Sequence, residues 1–290
     1  MIINADDFGF SREVTEGIIE AHLDGCVTST TLMANMDAWE YAVEQGIGQP
    51  NLSVGIHLTL TAGRPVLPPG RVSSLVDAEG RFHTLAEMSR RAWRLKLSTK
   101  ELREELAAQI RRLIDAGLMP THADSHHHGA SYPQAALAMT RALKEFGIDR
   151  TRTHRVWFTA DRNASDYRAA RRRARELNLR GIAKQIYYRA VRRLFVLRCG
   201  GRTPDQLWGF ARLVSDRPLT WNVDDWRTLL ANMPSGLTEF VCHPGRRHDS
   251  MWDEPEMIEQ RTRDLAFVTD PQVIDAIKQA DIDLVNFTAV

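Results

Sequence analysis

Met1-Ile2-Ile3-Asn4-Ala5-Asp6-Asp7-Phe8-Gly9-Phe10-Ser11 is the stretch that decides how this chain folds. Met1 to Asn4 reads as a short strand that runs straight into a polar turn at Ala5 to Gly9. Ser11 is then placed to cap a helix on which Val14, Ile18, Ile19 and Leu23 recur at helical spacing, with Gly25 as its stop. Strand, polar turn and amphipathic helix in immediate succession make one βα unit. The unit recurs. Val27 to Met33 is rich in β-branched residues and predicts a second strand, followed by a helix near Ala38 to Glu44 and a third strand at Leu52 to Leu60. Gly63 to Arg71 carries three prolines and two glycines and reads as loop. Ser98 caps a helix over Thr99 to Ala116, with Glu101 at the capping-box position and Leu102, Leu106, Ile110 and Leu113 on one face. Pro120 to Asp124 predicts a short strand leading into a histidine-rich turn. Further on, Leu237 to Val241 reads as a strand, Pro271 to Ala280 as a helix and Ile282 to Phe287 as a last strand. Alternation of this kind implies an α/β fold with a mostly parallel sheet. With no internal repeat and no Ser/Gly linker, residues 1–290 read as one domain.

Composition narrows the class. The 290 residues are 43% hydrophobic, enough for a sizeable core, which excludes wholesale disorder. Lys plus Arg number 38 against 37 Asp plus Glu, and a net charge of +1 argues against nucleic acid as the partner. Cys26, Cys199 and Cys242 are widely spaced with no CxxC pair, so neither a disulfide scaffold nor a structural zinc site is expected. No run approaches the ~18 apolar residues of a membrane span. The first residues lack the charged and apolar regions of a signal peptide, so a soluble cytoplasmic protein with no membrane partner is the expectation. One stretch departs from neutrality. Residues 162–202 hold thirteen basic residues and only Asp166 and Glu176 as acids. Ile182, Ile186, Val191, Phe195 and Val196 give it buried faces, and it reads as an arginine-rich helical insertion over about 160–202, solvated or at a subunit contact.

Four segments place unusual polar residues where strands end, which in a parallel α/β architecture is where active sites form. In Asn4 to Gly9, the adjacent carboxylates of Asp6 and Asp7 repel one another unless a cation or proton relieves them, or one of them simply caps the helix that follows. His57 interrupts an apolar strand and is either a ligand or a satisfied core histidine. Thr121-His122-Ala123-Asp124-Ser125-His126-His127-His128 packs four histidines and an Asp into eight residues, which points to metal binding. His122 is read as structural, and consecutive residues on one turn cannot all face one ion. His243, in Cys242-His243-Pro244-Gly245, is held by a Pro-Gly turn and is either a general acid or base or an ordinary turn histidine. Together these are the parts of metal-assisted hydrolysis. Asp124 is a candidate to orient a histidine ligand or to cap a turn, and Trp157 and Trp208 are candidates for an aromatic stacking platform.

These pieces, with Gly17-Ile18-Ile19-Glu20-Ala21, Val27-Thr28-Ser29-Thr30-Thr31 and Gly55-Ile56-His57-Leu58, resemble the YdjC-like (ChbG-type) carbohydrate deacetylases, in the same order as far as Gly245. The resemblance implies an irregular (β/α) barrel of the glycoside hydrolase/deacetylase type. It implies one divalent metal ion, Mg2+ or Zn2+, held by Asp7, His57 and His126, with Asp6 as the base and His243 as the acid. The implied substrate is an N-acetylated amino sugar or short oligosaccharide, chitooligosaccharide-like, which yields acetate and a free amine. A homodimer is also implied. Two places depart from the pattern: Gly129-Ala130-Ser131 stands where a further histidine or bulky residue is expected, and the segment after Arg150 matches poorly. Both bear on the substrate rather than the chemistry. The rival readings are a metal hydrolase of another amide or ester on the same barrel, a non-haem iron oxygenase with the same ligand types, and a carbohydrate-binding protein without turnover.

Overall fold

The computed structural model describes residues 1–153, 190, 193, 200–209, 222–250, 252 and 255–290. The arginine-rich insertion expected at about 160–202 lies almost wholly outside these residues, as do Trp157 and Cys199. Strands β1 (Ile2–Phe8), β2 (Ser29–Leu32), β3 (Ser53–Leu58), β4 (Ala123–Ser125), β5 (Gln206–Gly209) and β6 (Thr238–Cys242) form one sheet in the order β4-β3-β2-β1-β6-β5. Every pairing is parallel. Helices α1 (Arg12–Leu23), α2 (Trp39–Ile47), α3 (Leu85–Trp93), α4 (Thr99–Asp115), α5 (Pro133–Glu145), α6 (Val223–Ala231), α7 (Pro255–Val268) and α8 (Pro271–Gln279) alternate with them.

The sheet curls. Beyond β4, Thr151 bridges Ala123, and Arg150 in turn bridges Arg202, which lies just before β5. The 149–153 segment thus carries the curl from one edge of the sheet toward the other, giving the irregular α/β barrel that the resemblance implies on the mostly parallel sheet that the alternation predicts. Buried parallel strands are ordinarily apolar on both faces. Here the side chains alternate. Ile3, Ala5, Val54, Ile56, Leu58 and Phe240 pack into the apolar core under the helices, whereas Asn4, Asp6, Ser29, Thr31, His57 and Glu239 are buried polar residues of the opposite face. The inside of the barrel is therefore a polar network.

Two local features shape the mouth. β1 runs four residues further than the sequence predicts, through both acids, and its register shifts between Ala5 and Phe8. Asp7 sits there at φ 71°, a left-handed conformation rare outside glycine. In a regular strand Asp6 and Asp7 would face opposite sides; the bulge lets both reach the mouth. The proline-rich loop is held by α4, where buried Glu105 accepts hydrogen bonds from the Val66 and Leu67 N–H groups. Ser98 caps α4, but Glu101 accepts from the Ser74 N–H rather than closing a capping box, because Ser74 Oγ already takes the Ser98 N–H. The last expected strand is not one. Residues 282–286 are irregular, and Val285 donates a single backbone bond to the Met1 carbonyl.

α1 also reaches the mouth. A Cβ on Gly17 would lie 2.6 Å from Gly245 Cα and 2.8 Å from the Arg246 nitrogen. Gly17→Ala is expected to push the His243–Gly245 turn outward and cost ~1–3 kcal/mol, the usual range for overpacking. Urea unfolding checks this, and an unchanged midpoint would show that the turn yields freely.

Candidate active site

At the C-terminal ends of β1, β3 and β4, three donors converge. His57 Nε2 lies 3.2 Å and His126 Nδ1 3.0 Å from the same oxygen, Asp7 Oδ1. The donor atoms all lie within 4.8 Å of one another. The Arg261 guanidinium, on α7, holds the other Asp7 oxygen at 2.8 Å, which leaves Oδ1 turned to the histidines. The second nitrogen of His57 donates to Asp124 Oδ1 at 2.6 Å, and the Thr31 hydroxyl donates to Asp124 Oδ2 at 3.1 Å. A carboxylate behind a histidine fixes its tautomer and aims the free nitrogen, the usual backing of a metal-binding imidazole. One carboxylate oxygen and two imidazole nitrogens could hold a divalent metal ion. Of the triplet, His126 joins this donor group. His127 and His128 stand at φ 52° and 53°, and His127 meets the Thr61 hydroxyl at 3.0 Å instead.

Beside these donors, Asp6 is gripped by Arg152. Its oxygens accept from Arg152 Nη1 at 2.8 Å and Nη2 at 2.6 Å, and Oδ1 also accepts from Asn4 Nδ2 at 2.9 Å. The same guanidinium reaches Asp124 Oδ2 at 2.8 Å and Glu239 Oε1 at 2.7 Å, so one buried cation serves three buried carboxylates. Burial opposes the charge on Asp6, yet Arg152, with His57 and His243, outweighs it and holds the carboxyl below its ordinary range. Asp7 is likewise held well below that range, burial being outweighed by Arg261 and His126. Glu239 goes the other way. Burial dominates despite Arg152, and its carboxyl is pushed up to about 7.

His243 lies across from Asp6, its Nε2 3.9 Å from Asp6 Oδ2, close but beyond a hydrogen bond. Its side chain is 24% exposed, so it alone of the pair faces the open mouth. α7 fixes this turn twice: the His243 N–H donates to Asp264 Oδ2 at 2.7 Å, and the Gly245 N–H donates to the Arg261 carbonyl at 3.2 Å. Arg246 adds ion pairs to Glu16 and Glu20 of α1, both at 2.8 Å.

The structure thus brings Asp6, Asp7, His57, His126 and His243 to one place, with Asp124 behind His57. Trp208 is not near an open surface; it is 1% exposed and packs under the helices beside Phe240. Sequence reading missed Arg152, Arg261, Glu239 and Asp264. A signal existed for two of them: Arg152 sits between Thr151 and Thr153 in a strand-like stretch, and Glu239 is a lone acid inside an apolar strand. Charges so placed need each other.

Fold and site together define an α/β-barrel protein with a buried acid–histidine centre at the mouth of its parallel strands. The chain belongs to the YdjC-like protein family, whose sequence model matches residues 1–279. It is 32% identical over 288 residues to a carbohydrate deacetylase of Brevibacillus brevis, covering 99% of this chain and 98% of that protein. To a carbohydrate deacetylase of Geobacillus stearothermophilus it is 32% identical over 287 residues, covering 99% and 96%. Among solved structures, a protein of Enterococcus faecalis V583 described as a cellobiose-phosphate cleavage protein matches with a TM-score of 0.73 at 28% identity, covering 99% of this chain and 97% of that one.

Two outcomes follow from the geometry. Arg152→Met leaves Asp6, Asp124 and Glu239 buried without their cation and is expected to cost ~3–5 kcal/mol, read by chemical denaturation. Wild-type stability in that variant would mean that the carboxylates find other relief. Secondly, burial disfavours cationic His57, but Asp124 and Asp6 outweigh it and push the ion-free imidazole up to about 10. A divalent ion that takes Nε2 must then displace a proton, so its affinity rises with pH through the neutral range, by ~10-fold per unit for one proton. Titration calorimetry in buffers of different ionisation enthalpy should report that proton; release of none would contradict it.

Proposed function

We propose that this protein is a metal-dependent carbohydrate N-deacetylase, removing the acetyl group from an N-acetylated amino sugar or short chitooligosaccharide-like chain. The observation that carries the reading is the convergence of Asp7, His57 and His126 on one point beside Asp6, whose charge Arg152 favours, and a half-open His243. It is supported by relatives of the same length that are named carbohydrate deacetylases. A divalent ion, Mg2+ or Zn2+, held by Asp7, His57 and His126 would supply Lewis acidity toward water and an acyl oxygen. The chain's own residues do the rest. Asp6 stays ionised at neutral pH under the Arg152 charge and takes the proton of the attacking water. Among the described residues Asn4 and Arg152 hold Oδ1 and Arg152 alone holds Oδ2, so the free lone pair on Oδ2 is the one that receives it. His243, across the mouth from that oxygen, donates a proton to the leaving sugar nitrogen. Acetate and a free amine leave. Asp124 keeps His57 aimed, and Asp264 and Arg261 keep the His243 turn in place.

We place the protein in the cytoplasm, where the buried free thiols of Cys26 and Cys242 suit a reducing compartment. No helix among the described residues is long and apolar enough to cross a membrane. A homodimer completes the reading, and exposed Trp93 and Leu95 offer apolar surface for a second copy.

The test is acetate release by chelator-stripped protein reloaded with single metals, on N-acetylglucosamine and its β-1,4 oligomers. Release that requires metal is expected; none from metal-loaded protein would shift the reading to another amide or ester, or to binding alone. Asp6→Asn should keep the ion and lower turnover by ~10²–10⁴-fold. Asp7→Ala and His126→Ala should lose the ion itself, as elemental analysis would record.

A further inference from the structure

His122 is sealed inside the barrel. Its ring stacks on Phe287 with centroids 3.6 Å apart and an interplanar angle of 6°. The ring also lies against Gly55, where a Cβ would come within 2.6 Å of it, so only glycine admits it there. With its faces so covered, the ring meets polar atoms at its two nitrogens. Nδ1 lies 2.8 Å from Thr121 Oγ1; Nε2 lies 3.3 Å from Asn4 Oδ1 and 3.4 Å from Ser29 Oγ. Burial, reinforced by Arg152, holds this imidazole well below its ordinary range, so it is neutral and carries one proton.

Asp6 decides which nitrogen carries it. The Asn4 amide spans the gap between His122 and Asp6, and a carboxylate oxygen accepts only. Asn4 must therefore present Nδ2 to Asp6 Oδ1, at 2.9 Å, and its own Oδ1 to His122. That oxygen needs a donor, so the proton belongs on Nε2. Nδ1 then accepts from the Thr121 hydroxyl, which accepts in turn from Ser53 Oγ at 3.0 Å. The Val54 carbonyl, which also takes the Thr121 N–H at 2.9 Å, is a second acceptor for Thr121 Oγ1 at 3.1 Å, and His122 Nδ1 at 2.8 Å is the nearer one. Every hydrogen in the series runs one way, from Ser53 through Thr121, His122 and Asn4 to Asp6. The opposite tautomer would turn the Asn4 carbonyl onto the carboxylate.

We infer that His122 is a positioning residue: as the Nε2–H tautomer it pins the Asn4 amide so that Nδ2 stays on Asp6. The inference rests on the reading of Asp6 as the base in one respect only, its effect on rate. Without His122 the Asn4 amide is free to turn, and Asp6 loses one of the donors that hold its charge and direction.

The first test needs no turnover. Long-range 15N–1H NMR of the histidine-labelled full chain should find His122 neutral, protonated at Nε2, and unchanged between pH 6 and pH 9. An Nδ1–H tautomer, or titration within that range, would overturn the inference. The second uses kinetics and ion content. His122→Leu and Asn4→Leu should each lower kcat by ~10-fold, the worth of a lost hydrogen bond to a charge, with KM and bound metal unchanged. The double variant should be no worse than either alone, and His122→Gln, which restores a donor near Nε2, should recover most of the rate. Losses that multiply in the double variant would mean that the two residues act separately. A wild type that releases no acetate would sink the deacetylase reading alone. The tautomer would still decide whether His122 fixes Asn4 on Asp6.

Discussion

Arg152 sits in the barrel interior with three carboxylates around its guanidinium, all of them buried. Charges in such a place are tolerated only when paired and hydrogen-bonded, and removing one partner leaves the others uncompensated. Much of the site leans on this cation. It keeps Asp6 ionised, and through Asp124 it bears on the orientation of His57. Its third partner, Glu239, anchors it to β6, two strands along from β2. The 149–153 segment that carries Arg152 also carries the curl of the sheet beyond β4, so closing the barrel and charging the site are one structural event.

That arrangement explains why the barrel interior is polar. Aliphatic side chains fill the inside of most parallel barrels, and here they are displaced to the helix-facing side of each strand. The interior holds instead a network in which hydroxyls, amides and a neutral histidine carry hydrogen bonds toward Asp6. Such a network is costly if any member is unsatisfied and specific if all are. The bulge at Asp7 belongs to the same logic. A left-handed residue within a strand is strained, and Arg261, His57 and His126 all grip its carboxylate, enough to hold it in place.

The mouth is assembled from far ends of the chain. α1 packs its Gly17 against the backbone behind His243, while α7 supplies Arg261 to Asp7 and Asp264 to the His243 N–H. His243 is thus placed relative to Asp6 by helices that contribute no reacting group. Both helices lie within residues 1–279, the part of the chain that matches its family.

The βα alternation, the Ser11 and Ser98 caps and the segments carrying Asp6, Asp7, His57, His126 and His243 were all legible in the sequence, because periodicity, capping and clustered polar residues are local signals. The helix and strand types follow from neighbours a few residues apart. Ile282 to Phe287 has strand composition but joins no sheet strand among the described residues: its backbone bonds run to Met1 and to Ile277 at the end of the preceding helix, and pairing is not a local property. What only the tertiary structure decided is which charge meets which. Arg152 lies 146 positions from Asp6 and Arg261 lies 254 from Asp7, and no spacing rule links them. Nor does any local pattern say that His122 faces Asn4, since a hydrogen-bonded interior is chosen by how the sheet closes.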